Sequence, residues 1–148
     1  MPSPTSAETL PEPCFDHLRR MTDRRGVWEH ALFTTPRTEH GYCTDDNARA
    51  LIVMCRTPTP SPDLTRIYLN FVREAQLAEG GFHNRRSAEG LWTDAIGSDD
   101  SQGRAIWAAG VASRLGPEPW MRSVGLEIFD NQQQFASPSP RANAFALL

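Results

Sequence analysis

The sequence predicts an all-α fold, part of a double-ringed α/α toroid of about three helical hairpins in which outer and inner helices alternate. Three observations predict it. Two kinds of apolar pattern take turns along the chain, the chain matches itself without a gap at an offset of 55 residues, and each all-apolar helix is entered by a long connection.

Taken in order, Met1 to Pro13 is proline-rich and poor in apolar residues, and reads as a disordered tail ahead of one domain spanning 14–148. Cys14, Phe15, Leu18 and Met21 make a short one-faced helix. Ala48 to Cys55 is apolar nearly all round, as a helix enclosed on every side would be. Leu64, Ile67, Tyr68, Phe71, Val72 and Ala75 then recur at helical spacing with Arg66, Asn70, Arg73 and Glu74 between them, which predicts an outer, one-faced helix. Ala105 to Ala112 repeats the all-apolar kind. Met121, Val124, Ile128, Phe129 and Phe135 repeat the one-faced kind, and Arg141 to Leu148 begins a third inner helix. The β-branched Ile52 and Val53 leave a buried strand open, but Thr44-Asp45-Asp46 and Ser98-Asp99-Asp100 supply helix starts, because Ser, Thr and Asp accept bonds from unpaired first-turn N–H groups. The prolines gather at 2–13, 58–62, 117–119 and 138–140, where connections fall.

At the offset of 55, Gly26 falls on Gly81, Asp45 on Asp100, Asn47 on Gln102, Arg49 on Arg104 and Leu51 on Ile106. One helical hairpin cannot bury its own apolar face, so stacked neighbours are required. The alternative is a pair of N-caps matched by coincidence. The connections 24–44 and 79–99 are far longer than the two to eight residues usual between packed helices, and they bring Asp45, Asp46, Asp99 and Asp100 to the positive ends of the inner helices.

Composition narrows the function. A net charge of −3 gives no basic field of the kind nucleic acid requires, and no apolar run approaches a membrane span. A soluble, cytoplasmic protein is expected, with no nucleic-acid or membrane partner. The three cysteines form no close metal-ligand pair and read as reduced thiols, two of them buried. Asp45-Asp46-Asn47-Ala48-Arg49 places a cation where a paired-aspartate magnesium motif needs a third carboxylate, so no metal or other cofactor is expected.

The runs His40-Gly41-Tyr42-Cys43-Thr44-Asp45-Asp46-Asn47-Ala48-Arg49-Ala50-Leu51, Gly97 to Gly110 and Ser139 to Leu148 resemble bacterial proteins labelled glycosyltransferases or glycosidase-like proteins, of the six-hairpin glycosidase superfamily. The resemblance spans about 14–148. It implies an (α/α)6 toroid and a role in carbohydrate metabolism, with Asp99 departing from the family, which more often has Glu there. Three hairpins are half of such a ring. The sequence therefore reads as an incomplete frame, or as a half-ring whose apolar edges self-associate, with the first favoured.

Glycoside hydrolysis uses two carboxyl groups across a cleft. Asp45 or Asp46 paired with Asp99 or Asp100 are the candidate catalytic residues. The competing reading has one Asp of each pair capping its helix while the other binds Arg49 or Arg104, since a guanidinium in an apolar helix must be paired. Substrate-binding candidates are Arg49, Arg104, His40, Tyr42, His83, Asn84 and Trp92, with Trp28 a further ring in the connections and Trp107 read as core. The expected partner is a carbohydrate, bound catalytically by a glycoside-hydrolase-like domain or held by a non-catalytic module accessory to a glycosyltransferase.

Overall fold

Three of the proline clusters open helices rather than merely separating them. Pro62, Pro119 and Pro140 each occupy the first turn, where a missing N–H costs nothing and a fixed φ is already helical. In the computed structural model, residues 12–132 and 135–148 are described. Among them run α1 (Asp16–Arg20), α2 (Thr44–Arg56), α3 (Pro62–Ala75), α4 (Asp99–Leu115), α5 (Pro119–Asp130) and α6 (Pro140–Leu147). The tail predicted for 1–13 lies, as far as residue 11, outside the described residues.

The helices make two rows. α2, α4 and α6 stand side by side, each touching the next, while α3 packs on α2, α5 packs on α4, and α3 touches α5. Short links at 57–61 and 116–118 turn α2 back into α3 and α4 back into α5, so each pair is an antiparallel hairpin. The apolar stripe of α3 faces this core: Leu64, Tyr68, Leu69, Phe71, Val72 and Ala75 are all buried. α4 is the centre of the molecule, with Ala105, Ile106, Ala108, Ala109, Val111 and Ala112 all buried. Glycine sets how closely its neighbours approach. A Cβ on Gly103 would stand 2.4 Å from the Ala142 carbonyl oxygen of α6. One on Gly125 of α5 would stand 2.6 Å from the Ser113 nitrogen of α4.

Four differences from the sequence reading have physical reasons. The all-α expectation is modified by two small antiparallel pairs: β1 (Ala31–Leu32) with β2 (Thr35–Pro36), and β3 (Tyr42–Cys43) with β4 (Arg85–Arg86). The backbone of a long connection laid over a helical core needs its own hydrogen-bond partners, and β3–β4 supplies them by joining one connection to the other. α4 comes nearest to enclosure on every side, with only Arg104, Trp107 and Gly110 partly open between Ser101 and Ala112, and its row-mates are more exposed. Val53 of α2 is 46% exposed, and Leu147 and Leu148 at the end of α6 are 87% and 72% exposed, because each of these helices has a neighbour on only one side within its row. α5 ends at Asp130, so Phe135 continues its apolar stripe in sequence only and reaches the core from a loop. α1 is a five-residue helix, with Phe15 and Leu18 packed on the core and Met21 buried just beyond it.

The thiols divide by burial. Cys14 is exposed, Cys43 and Cys55 are buried, and all three are free. Burial pushes the Cys55 thiol up to about 11 and raises that of Cys43 as well. A thiol reagent at pH 8 is therefore expected to modify one thiol per native chain rapidly and all three in denaturant, since the reactive species is the thiolate. Rapid reaction at more than one site in the native chain would contradict this burial. The sign of the linkage follows. Between the ordinary thiol value and about 11 the folded chain keeps the Cys55 proton that the unfolded chain releases, so Cys55 makes stability fall as pH rises through that window.

Candidate functional site at the helix starts

The row α2, α4, α6 begins with the same cap three times. Cys43 Sγ accepts from the Asp46 N–H, Ser98 Oγ from the Ser101 N–H, and Ser139 Oγ from the Ala142 N–H, each at 3.4 Å. Cys43 and Ser98 are themselves 55 apart. Neither Thr44 nor an aspartate is the cap of α2, contrary to expectation. The Thr44 hydroxyl instead donates to the His83 carbonyl at 2.6 Å, which docks the second long connection on the start of α2.

One turn into each helix an amide side chain clasps the loop that precedes it. Gln102 accepts from the Phe82 N–H at 2.7 Å and donates to the Phe82 carbonyl at 2.7 Å. Asn47 accepts from the Val27 N–H at 3.0 Å and donates to the Cys43 carbonyl at 2.9 Å. Asn143 accepts from the Ser137 N–H and donates to the Ser137 carbonyl. Val27 and Phe82 are again 55 apart, so the repeat in sequence is a repeat in hydrogen bonding. Gly26 and Gly81 precede them for different reasons: a Cβ on Gly26 would lie 2.6 Å from Asn47 Oδ1, whereas Gly81 holds a φ of +81° that other residues rarely adopt. Asn47 and Gln102 appeared in the sequence match, but neither they nor Asn143 were picked out as site residues; the matched amides and glycines were the signal.

The aspartates lie beside these clasps and are joined to arginines across the row. Asp45 Oδ2 accepts from Arg49 of its own helix at 3.1 Å and from Arg104 Nη1 of α4 at 3.3 Å. Arg104 Nε is also 3.1 Å from Asp45 Oδ1, although misaligned, so these two buried atoms make an ion pair without a formed hydrogen bond. Asp46 pairs with Arg49, and Asp100 of α4 pairs with Arg141 of α6. Asp99 Oδ2 accepts from the Ser137 hydroxyl at 2.6 Å. The outcome is a strip of alternating carboxylates and guanidiniums across three helix starts. Burial pushes the Asp45 carboxyl above its usual range, against the opposing pull of Arg49 and Arg104, with the charges of Asp46 and Asp100 adding to the rise.

The remaining predicted residues are placed differently. Tyr42 is buried, donates to Asp23 at 2.9 Å and stacks on Trp28 with centroids 4.1 Å apart, so it offers no face to a sugar ring. Trp92 is partly buried, with the His83 ring stacked on it at 5.2 Å, the Phe71 ring edge-on at 5.4 Å and the Arg86 guanidinium 5.0 Å from its centroid. His83 Nδ1 is bonded to the Asp94 carbonyl at 2.6 Å. Asn84 accepts from the Asp45 N–H and its own carbonyl accepts from the Thr44 N–H, so it positions the start of α2. His40 lies edge-on to His30 and near Glu39, and makes no contact with the aspartates among the described residues. Trp107 is half-buried, beside Phe145 and under Arg56. A pair not anticipated, Glu29 with Arg85, joins the two long connections near Cys43 and Asp46.

Fold and site together define a two-rowed helical domain with an ion-paired strip along one row of helix starts. Comparison with known proteins finds no matching family model, no matching curated protein and no matching solved structure. Among the described residues no group of three or more His, Cys, Asp or Glu is arranged to hold a metal ion, and no helix is long and apolar enough to cross a membrane.

Proposed function

We propose that this chain is a carbohydrate-active domain of glycoside-hydrolase-like type, in which α2, α4 and α6 are successive inner helices of an (α/α) toroid and sugar binds over their N-terminal ends. The observation that carries the reading is the strip Asp46–Arg49–Asp45–Arg104 followed by Asp100–Arg141. Sugar hydroxyls are both donors and acceptors, and a row of carboxylates and guanidiniums offers planar partners of both kinds. The likeness of the three helix-start runs to six-hairpin glycosidase-like proteins supports the same substrate class. Within the strip Asp45 is the candidate general acid, because burial moves its carboxyl toward the protonated form, and Asp100 is the candidate second carboxylate on the adjoining helix.

A second reading, non-catalytic glycan binding, draws on a different observation: each of the four aspartates already has a partner, Asp45, Asp46 and Asp100 in ion pairs and Asp99 on Ser137. One experiment separates the two. The 148-residue chain is titrated with a panel of neutral and acidic oligosaccharides by NMR, and the same panel is assayed for reducing-end release with wild type, Asp45→Asn and Asp100→Asn. Turnover that falls at least 100-fold in both variants is the expected result. Saturable shifts without turnover favour the binding module, and no binding to any member defeats the carbohydrate assignment altogether.

A further inference from the structure

The first turn of α2 carries Asp45, and the N–H groups left open there are met from outside the helix. The Thr44 N–H donates to the Asn84 carbonyl at 2.9 Å and the Asp45 N–H to Asn84 Oδ1 at 3.2 Å. The Thr44 hydroxyl donates to the His83 carbonyl at 2.6 Å. Residues 83 and 84 thus serve α2 as a cap supplied by the second connection. Asn84 also borders α4, since a Cβ on Gly97 would lie 2.8 Å from the Asn84 Cβ. It stands between the two helix starts that the Asp45–Arg104 pair joins.

The cap is itself held by Asp94. Asp94 Oδ2 accepts from the Asn84 N–H at 2.7 Å and Asp94 Oδ1 from the Arg85 N–H at 3.0 Å, while the Asp94 carbonyl is bonded to His83 Nδ1 at 2.6 Å. The Thr93 N–H closes the same corner on the Arg85 carbonyl at 2.9 Å. Two consecutive N–H groups converging on one side chain require two acceptor atoms, which a carboxylate has and an amide lacks. The offset of 55 sets Glu39 on Asp94, yet the Glu39 side chain is 60% exposed and pairs with Arg37. The device therefore belongs to the second connection, the one laid against the starts of both α2 and α4. Little displacement is tolerated there, because Arg104 Nη1 is already 3.3 Å from Asp45 Oδ2, at the long end of the N–H···O range.

We infer that Asp94 is a positioning residue for Asp45, acting through Asn84. Its carboxylate fixes residues 84 and 85, Asn84 fixes the first turn of α2, and that turn aims the Asp45 carboxyl between Arg49 and Arg104. The catalytic meaning of this relay rests on the reading of Asp45 as the candidate acid, whereas the relay itself is tested without sugar. The test is a carbon-13 carboxyl NMR titration of Asp45 in the sugar-free chain. Burial is the largest influence raising that carboxyl, so a loosened helix start should release it toward the ordinary range. Asp94→Asn, which keeps the shape and loses one acceptor, is expected to raise the Asp45 ionisation constant about three-fold or more. Asn84→Ala, which leaves the Asp94 charge in place, should act in the same direction, and it decides alone if Asp94→Asn does not fold. The double variant should fall short of the summed effects, as groups acting in one relay do, whereas a through-space effect of the Asp94 charge would add in full. An Asp45 ionisation constant that is unchanged or lowered in either variant, or full additivity, overturns the inference. Where oligosaccharide turnover is found, Asp94→Asn should lower kcat about 10-fold with KM within about two-fold, and an effect confined to KM overturns it as well. A wild-type chain without turnover defeats the catalytic reading of Asp45 and leaves the titration to decide the relay.

Discussion

Gln102→Ala is expected to destabilise the fold by about 1–3 kcal/mol, the cost of leaving the buried Phe82 N–H without a partner, while the Phe82 carbonyl keeps the bond it accepts from the Gly97 N–H at 2.8 Å. Both groups belong to Phe82, whose residue is fully buried, and Gln102 serves both at 2.7 Å. Water cannot replace the amide without opening the seam between the second connection and α4. Gln102→Glu is a sharper probe, because a carboxylate accepts from the Phe82 N–H but also turns an acceptor toward the Phe82 carbonyl. It should be destabilised to a similar degree at neutral pH and should recover partly in acid, where the protonated form can donate again. The measurement is the midpoint of urea unfolding at constant slope. A Gln102→Ala chain within about 0.5 kcal/mol of wild type would mean that the clasp contributes nothing net, which is within reach of ordinary surface substitutions.

Two glycines should respond to alanine with opposite signs. Gly125→Ala places a methyl 2.6 Å from the Ser113 nitrogen, 2.9 Å from the Ala112 carbonyl carbon and 3.0 Å from the Ala109 carbonyl oxygen. All three atoms are backbone, so no rotamer change relieves the overlap and α5 must move off α4. Overpacking of this kind costs about 1–3 kcal/mol, more than the ~1 kcal/mol of helix propensity gained. Gly110→Ala meets only the Phe129 ring at 3.5 and 3.6 Å, an ordinary contact, and keeps the propensity gain. Thermal melts should place Gly110→Ala above wild type and Gly125→Ala below it. Equal and positive shifts would show that the α4–α5 contact is looser than these distances require.

Much of the helical framework was legible because it rests on local rules. The i, i+3, i+4 stripe of α3 and the all-apolar run of α4 specify helices whose faces differ in exposure, and their burial follows that pattern. The offset of 55 was legible too, and the hydrogen bonds give it physical content: the same cap, the same amide clasp and the same preceding glycine recur at both places. Arg104 among apolar residues could be read as paired because an isolated buried guanidinium is too costly, whereas Arg49 is 52% exposed and its pairs with Asp45 and Asp46 lie at the surface.

What a sequence alone left open was decided by contacts between segments far apart in the chain. Tyr42 and Trp92 sit in loops and look available to a ligand. Tyr42 is enclosed, and Trp92 partly covered, because β3 pairs with β4 and carries the two connections against Phe71. Thr44 has the chemistry of a cap, but its hydroxyl is taken by His83, 39 residues away, and the cap falls to the Cys43 sulfur. The partner that Arg104 takes is Asp45 of another helix, which no spacing within α4 could reveal. Residues within one turn of each other meet through bond geometry that any local segment carries with it, so the sequence by itself determined the helices, their two kinds and their repeat. Which carboxylate meets which guanidinium, and which ring stays open to solvent, depend on how separate segments pack, and only the tertiary structure decided them.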